Sequence, residues 1–169
     1  MKRWIACCIA SAFMLVAGCQ YNPHAHRFSK HEPTVAEAAG TYVLDEVFVD
    51  SVQHGLGETI QKYAATSQIV LRHDGTAKFT RFPVLLSPDD SHYTYKGPED
   101  FDARWAVAAV GGVSSGGDHS ETVYGIQFTF EDDRTLFDTP TFTGTPSVDG
   151  MVFTISDPDM GEILGFRKK

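Results

Sequence analysis

The sequence predicts an all-β fold, an antiparallel β-barrel of about eight strands, on three observations. From Gly40 onward, apolar and polar residues alternate with period two, as in strands that bury one face. Asp74-Gly75 falls between two such runs, and this pair favours a tight hairpin turn. Only one stretch, 51–66, carries apolar residues at three- and four-residue steps.

The predicted strands lie near 41–49, 68–73, 76–82, 102–110, 121–130, 134–143, 150–156 and 162–168. Ile69 and Leu71 precede the Asp-Gly turn, and Ala77 and Phe79 follow it. Trp105, Val107 and Ala109 alternate with their neighbours, as do Tyr124, Ile126, Phe128 and Phe130. Met151, Phe153 and Ile155 alternate with Val152, Thr154 and Ser156. Glu131-Asp132-Asp133-Arg134, Val148-Asp149-Gly150 and Asp157-Pro158-Asp159-Met160-Gly161 supply turn residues between the later runs. In the helical stretch, Val52, Leu56, Ile60 and Tyr63 share one face, and Gly55 and Gly57 move the short helix to near 57–66. Short connections favour antiparallel pairing, and this many strands must close or sandwich to cover their edges. An eight-stranded barrel has an interior that side chains fill or that holds one small ligand. Pro83-Val84-Leu85-Leu86, followed by Tyr93 and Tyr95, is expected as a loop plugging one end. The glycine-rich stretch 111–120 is expected as a flexible rim.

The first 18 residues are of another kind. Lys2 and Arg3 precede an apolar run from Trp4 to Val16, and Ala17 and Gly18 then precede Cys19. This is the order of a secretory signal. As a helix the run reaches roughly 20 Å, short of the about 30 Å hydrocarbon core of a bilayer. Leu15-Val16-Ala17-Gly18-Cys19 resembles the lipobox of bacterial lipoproteins. The resemblance implies a signal peptide over 1–18 and a diacylglycerol thioether on Cys19, with an amide-linked acyl chain such as palmitate. Gln20, in place of the Asp that favours inner-membrane retention in enterobacterial members, points to the outer membrane, facing the periplasm. Two or three acyl chains make anchoring stable where one does not. Residues 19–37, with Pro23, Pro33, His24, His26 and His31, are expected as a lipidated cysteine and flexible tether, and 38–169 as the barrel domain.

Composition narrows the partners. Of three cysteines, Cys7 and Cys8 leave with the leader and Cys19 is the lipid site, so no disulfide forms within the mature chain. Loss of Lys2 and Arg3 takes the formal net charge from −8 to −10. A net acidic surface argues against nucleic acid and against a broad anionic lipid surface as partners. The membrane is reached through the lipid.

Gly40-Thr41-Tyr42, Asp74-Gly75-Thr76 and Phe166-Arg167-Lys168 resemble the opening strand, early hairpin and closing strand of lipocalin-like small bacterial lipoproteins. The resemblance implies Tyr42 packed near Arg167 at the closed end. Trp105, Tyr124, Ile126, Phe128 and Phe153 are the candidate lining of an interior that either binds a small apolar ligand or is simply packed.

Other constellations read as structural. The three tether histidines lack a companion carboxylate or thiolate in fixed geometry, so no metal site is expected. Asp157, Asp159 and Glu162 lack the spacing of a calcium loop and read as an acidic turn, as do Asp89-Asp90 and Asp132-Asp133. Ser114, Ser115, Asp118 and His119 share one loop without the Gly-x-Ser-x-Gly elbow. No phosphate-binding glycine loop, Cys-x-x-Cys or His-Glu-x-x-His occurs, so neither a cofactor nor an enzymatic activity is expected. The expectation is a non-enzymatic envelope lipoprotein that binds a small apolar ligand. The alternative is a structural or assembly subunit that docks an envelope protein through the 83–95 and 111–120 loops.

Overall fold

The computed structural model describes residues 22–49, 55–86, 93–114, 120–131, 139–155 and 158–169. The leader, Cys19 and Gln20 lie outside them, as do Asp89-Asp90, Ser115, Asp118, His119, Asp132-Asp133 and Asp157. Eight strands form the sheet: β1 Gly40–Phe48, β2 Gln68–Leu71, β3 Thr76–Leu86, β4 Thr94–Ser114, β5 Ser120–Thr129, β6 Thr141–Thr143, β7 Gly150–Thr154 and β8 Ile163–Lys168. Each pairs antiparallel with the next in sequence, and β1 also pairs with β8, so the sheet closes on itself. Two short helices accompany it, α1 Val35–Ala38 and α2 Leu56–Gln61, with a 3-10 turn at Ala64–Thr66. No described helix is long and apolar enough to cross a membrane.

The β2–β3 hairpin turns at Asp74-Gly75. Gly75 has φ +78°, which glycine adopts without steric cost. The Asp74 carboxylate accepts from the Thr76 N–H at 2.9 Å and from its hydroxyl at 2.6 Å. Those bonds hold its pKa below the ordinary carboxylate value, and Thr76 is the largest cause. The Gly75 carbonyl accepts from the Trp105 N–H at 2.8 Å, which ties the hairpin to β4.

Two expectations need correcting. Pro83–Leu86 is not a plugging loop but the end of β3, paired with β4 from Pro83↔Pro98 to Leu86↔Thr94. Proline is tolerated there because β2 pairs with β3 only as far as Thr80, so Pro83 sits at an edge and owes no ladder hydrogen bond to that side. Likewise 111–114 is strand, paired with 120–123 of β5, and not the start of a loop. The β4–β5 hairpin is therefore a long ribbon. Of the predicted strand 134–143, the described part is β6, Thr141–Thr143.

Among the described residues β5 meets β6 in one pairing, Gly125↔Thr141. A Cβ on Gly125 would lie 2.1 Å from the Pro140 carbonyl oxygen, so only glycine permits this approach. The N-terminal segment completes the seam. The Ser29 N–H donates to the Phe142 carbonyl at 2.8 Å, and the Ser29 carbonyl accepts from the Tyr124 N–H at 3.1 Å. Phe28 bridges to Thr143. Residues 22–37, expected as tether, are thus packed along the ring. Phe28 is the physical reason, because it is buried against Val123, Val152 and Ile163 on the outer face. This strap ends in α1, which Thr34 and Glu37 open with a reciprocal capping box. The bonds from Thr34 lower the Glu37 pKa.

Candidate functional site

The ring interior is filled by aromatic side chains from facing strands. Phe82 stacks on Phe166 at 5.8 Å between centroids and meets Phe153 at 5.3 Å and Phe79 at 5.2 Å. Phe79 also stacks on Phe101 at 4.4 Å and meets Phe128 edge-on at 4.9 Å. These separations are those of packed aromatic pairs. Trp105, Ile126 and Phe153 belong to this core. Phe128 is half-buried and packs against it, together with Phe101 and Phe130. Tyr124 is also half-buried and pairs with Ala109, where the β4–β5 ribbon leaves the ring. The Trp105 Nε1–H donates to the Arg72 carbonyl at 2.9 Å, which fixes the indole against the hairpin.

At the end where β1 begins, the register corrects one expectation. Tyr42 pairs with Lys168, not Arg167. One residue of offset moves a strand side chain to the other face. Lys168 therefore lies 5.9 Å from the Tyr42 ring centroid and donates to the Glu37 carbonyl, whereas Arg167 faces outward to Asp45 at 3.3 Å. The Tyr42 hydroxyl donates to the Ala38 carbonyl. Burial raises the Tyr42 pKa well above the ordinary phenol value and lowers that of Lys168 below the ordinary amine value. Burial is the largest cause of both shifts, as expected where Tyr42 and Lys168 close the end of the ring.

Outside the ring, strap and sheet enclose a groove of about 170 Å³ between Arg27, Asp45, Glu46, Asp149 and Arg167. Arg27 pairs with Glu46 at 2.8 Å. Asp149 accepts from the Thr143 hydroxyl at 2.6 Å. Gly165 forms part of the floor, and a Cβ there would lie 3.0 Å from the Glu46 side chain. Among the described residues its polar lining is two arginines, three carboxylates and the Thr143 hydroxyl, so the groove presents both signs of charge. Sequence reasoning missed it because isolated charges on alternating strands resemble an ordinary solvated face.

The tether histidines do not converge. His24 Nε2 lies 2.9 Å from the Gly161 carbonyl, His26 Nδ1 lies 3.0 Å from the Pro23 carbonyl, and His31 lies 3.8 Å from Glu37. Among the described residues no three His, Cys, Asp or Glu side chains gather as metal ligands. Asp159 falls in a 3-10 turn, Pro158–Met160, and Glu162 is buried beside it.

Upstream of Phe82 the β3 backbone is irregular. Arg81 has φ +48°, unusual for a side chain of its size. Its guanidinium lies 5.1 Å from the Tyr63 ring centroid, and its N–H donates to Asp100 at 2.7 Å. Among the described residues, the buried Tyr95 hydroxyl nearby has no hydrogen-bond partner. Set against known proteins, this chain matches no family model, no curated protein and no solved structure.

Proposed function

We propose that the protein is a non-enzymatic lipoprotein of the bacterial envelope, anchored through acyl chains on Cys19 and carrying a lipocalin-like barrel. The observation that carries this reading is the order of basic n-region, apolar run and Leu15-Val16-Ala17-Gly18-Cys19. The groove in which Arg27 and Arg167 face Asp45, Glu46 and Asp149 supports a binding or structural role. The centre of the ring is occupied by Phe79, Phe82, Phe153 and Phe166, so a small apolar ligand would enter at the half-buried Phe101, Phe128 and Phe130. Intact-mass measurement of the native product tests the anchor: a chain starting at Cys19 with acyl adducts is expected, and a chain retaining its leader or lacking acyl groups refutes it. Cys19→Ser is expected to release the protein from membranes. Trp105 is the only tryptophan downstream of the leader and pairs with Phe128, so its emission is expected to shift saturably with a fatty-acid probe.

A second reading, docking of an envelope protein through 83–95, is favoured by one observation. Backbone strain at Arg81 lies just before this segment, and within it the Tyr95 hydroxyl has no hydrogen-bond partner among the described residues; such strain concentrates at functional positions. Unchanged Trp105 emission, with a crosslinked partner lost on Tyr95→Ala, would support it.

A further inference from the structure

We propose that the end of the ring bearing Phe48 and Met160 rests against the bilayer that holds the chain, giving the protein one fixed orientation. This rests on the acylation of Cys19. Two large apolar side chains are unusually exposed at this end, Phe48 at 49% and Met160 at 52%. They are neighbours by register, since Phe48 pairs with Ile163 at the start of β8, three residues after Met160.

The strap begins at the same place. His24 Nε2 meets the Gly161 carbonyl at 2.9 Å, and a Cβ on Gly161 would lie 2.8 Å from the Pro23 ring. Only Gln20 and Tyr21 separate Cys19 from Asn22. Chain geometry limits that link to about 11 Å even when fully extended. An acylated Cys19 lies at the headgroup boundary, so Pro23, His24 and the Met160 turn are drawn to within a residue or two of lipid. The bilayer is the occupant this geometry selects. The strap does not leave enough free chain for the globule to turn its opposite end to the membrane. Apolar side chains at such a boundary enter about 5–10 Å, and the anchor supplies the effective concentration that two side chains need.

The test uses the purified acylated protein in phosphatidylethanolamine–phosphatidylglycerol vesicles containing a nitroxide lipid. Phe48→Cys, Met160→Cys and Thr122→Cys each carry one thiol-linked fluorophore. Cys19 sulfur is already alkylated, and both replaced apolar side chains are half exposed, so the fold tolerates the changes. Thr122 is exposed on β5 at the far end of the strands. Quenching at 48 and 160 is expected to exceed that at 122 by about twofold or more. Equal quenching at all three positions in protein whose mass shows acylation overturns the orientation and leaves the anchor standing. A mass without acyl groups overturns the anchor and this inference with it.

Discussion

The β7–β8 wall and the β4–β5 ribbon are built from the same antiparallel pairing, yet they bury very different surfaces. Met151, Val152 and Phe153 are all buried, as are Ile163, Leu164, Gly165 and Phe166, so the β7–β8 wall is covered on both faces. One cover is the aromatic core and the other is the strap with Phe28. Beyond Ala109, by contrast, Gly111, Gly112 and Ser114 of β4 and Ser120 and Thr122 of β5 are exposed. Hydrogen-bonded strands alone therefore do not make a core here. The strap turns one wall of the ring into a three-layer structure and covers the ribbon only where Phe28 meets Val123, with Val110 and Val113 packed beside them.

Substitutions should separate the two regions by magnitude. Phe153→Ala, in the covered wall, is expected to cost about 3–5 kcal/mol in denaturant unfolding. A loss below about 1 kcal/mol would mean that the aromatic centre is loosely packed. Phe28→Ala is expected to cost about 3 kcal/mol, because it uncovers Val152 and Ile163 from outside. It should also speed hydrogen exchange at the Tyr124 and Gly144 amides, which donate to Ser29 and Arg27. Gly125→Ala forces a Cβ onto the Pro140 carbonyl and is expected to cost about 1–3 kcal/mol by parting β5 from β6. Thr122→Ala, exposed on the ribbon, should stay within about 0.5 kcal/mol.

Acid titration gives a finer comparison between strap and hairpin. Glu37 and Asp74 both have pKa values lowered in the fold, by Thr34 and Thr76 respectively. The unfolded state therefore binds more protons, and each group adds stability that is present above the ordinary carboxylate range. That stability is lost as pH falls through the lower folded values. Glu37→Gln and Asp74→Asn should each flatten the acid side of the stability profile without changing it near neutrality in slope. An unchanged acid limb in Glu37→Gln would show that the capping box does not hold the strap.

The sequence made the ring legible because most strands bury one face and alternate. The Asp74-Gly75 hairpin appears where the pattern places it, whereas the helix expected near 57–66 is α2 at Leu56–Gln61 followed by a 3-10 turn at Ala64–Thr66. The covered wall was written differently: Met151-Val152-Phe153 and Ile163-Leu164 are unbroken apolar runs, the signature of strands buried on both sides. Reading only the alternation assigned Val152 to solvent. The strap was hidden by its polar composition, with Phe28 its only large apolar residue to reach the outer wall. Pro83 disguised the end of β3, since a proline argues against a strand until its edge position is known. The groove drew together Arg27, Asp45, Asp149 and Arg167 from distant stretches, and nothing local announces such a meeting.

The strap has a consequence for how the chain comes to be assembled. His24 waits for Gly161, and Glu37 waits for Lys168, separations of 137 and 131 residues. Contacts that distant carry a large closure entropy and form late. Those two contacts therefore close only when the chain is almost complete, although Arg27 meets Glu46 much earlier. Loss of residues 163–169 would leave β1 paired with β2 alone and Glu37 without Lys168, so a small truncation at one terminus opens the ring beside the other.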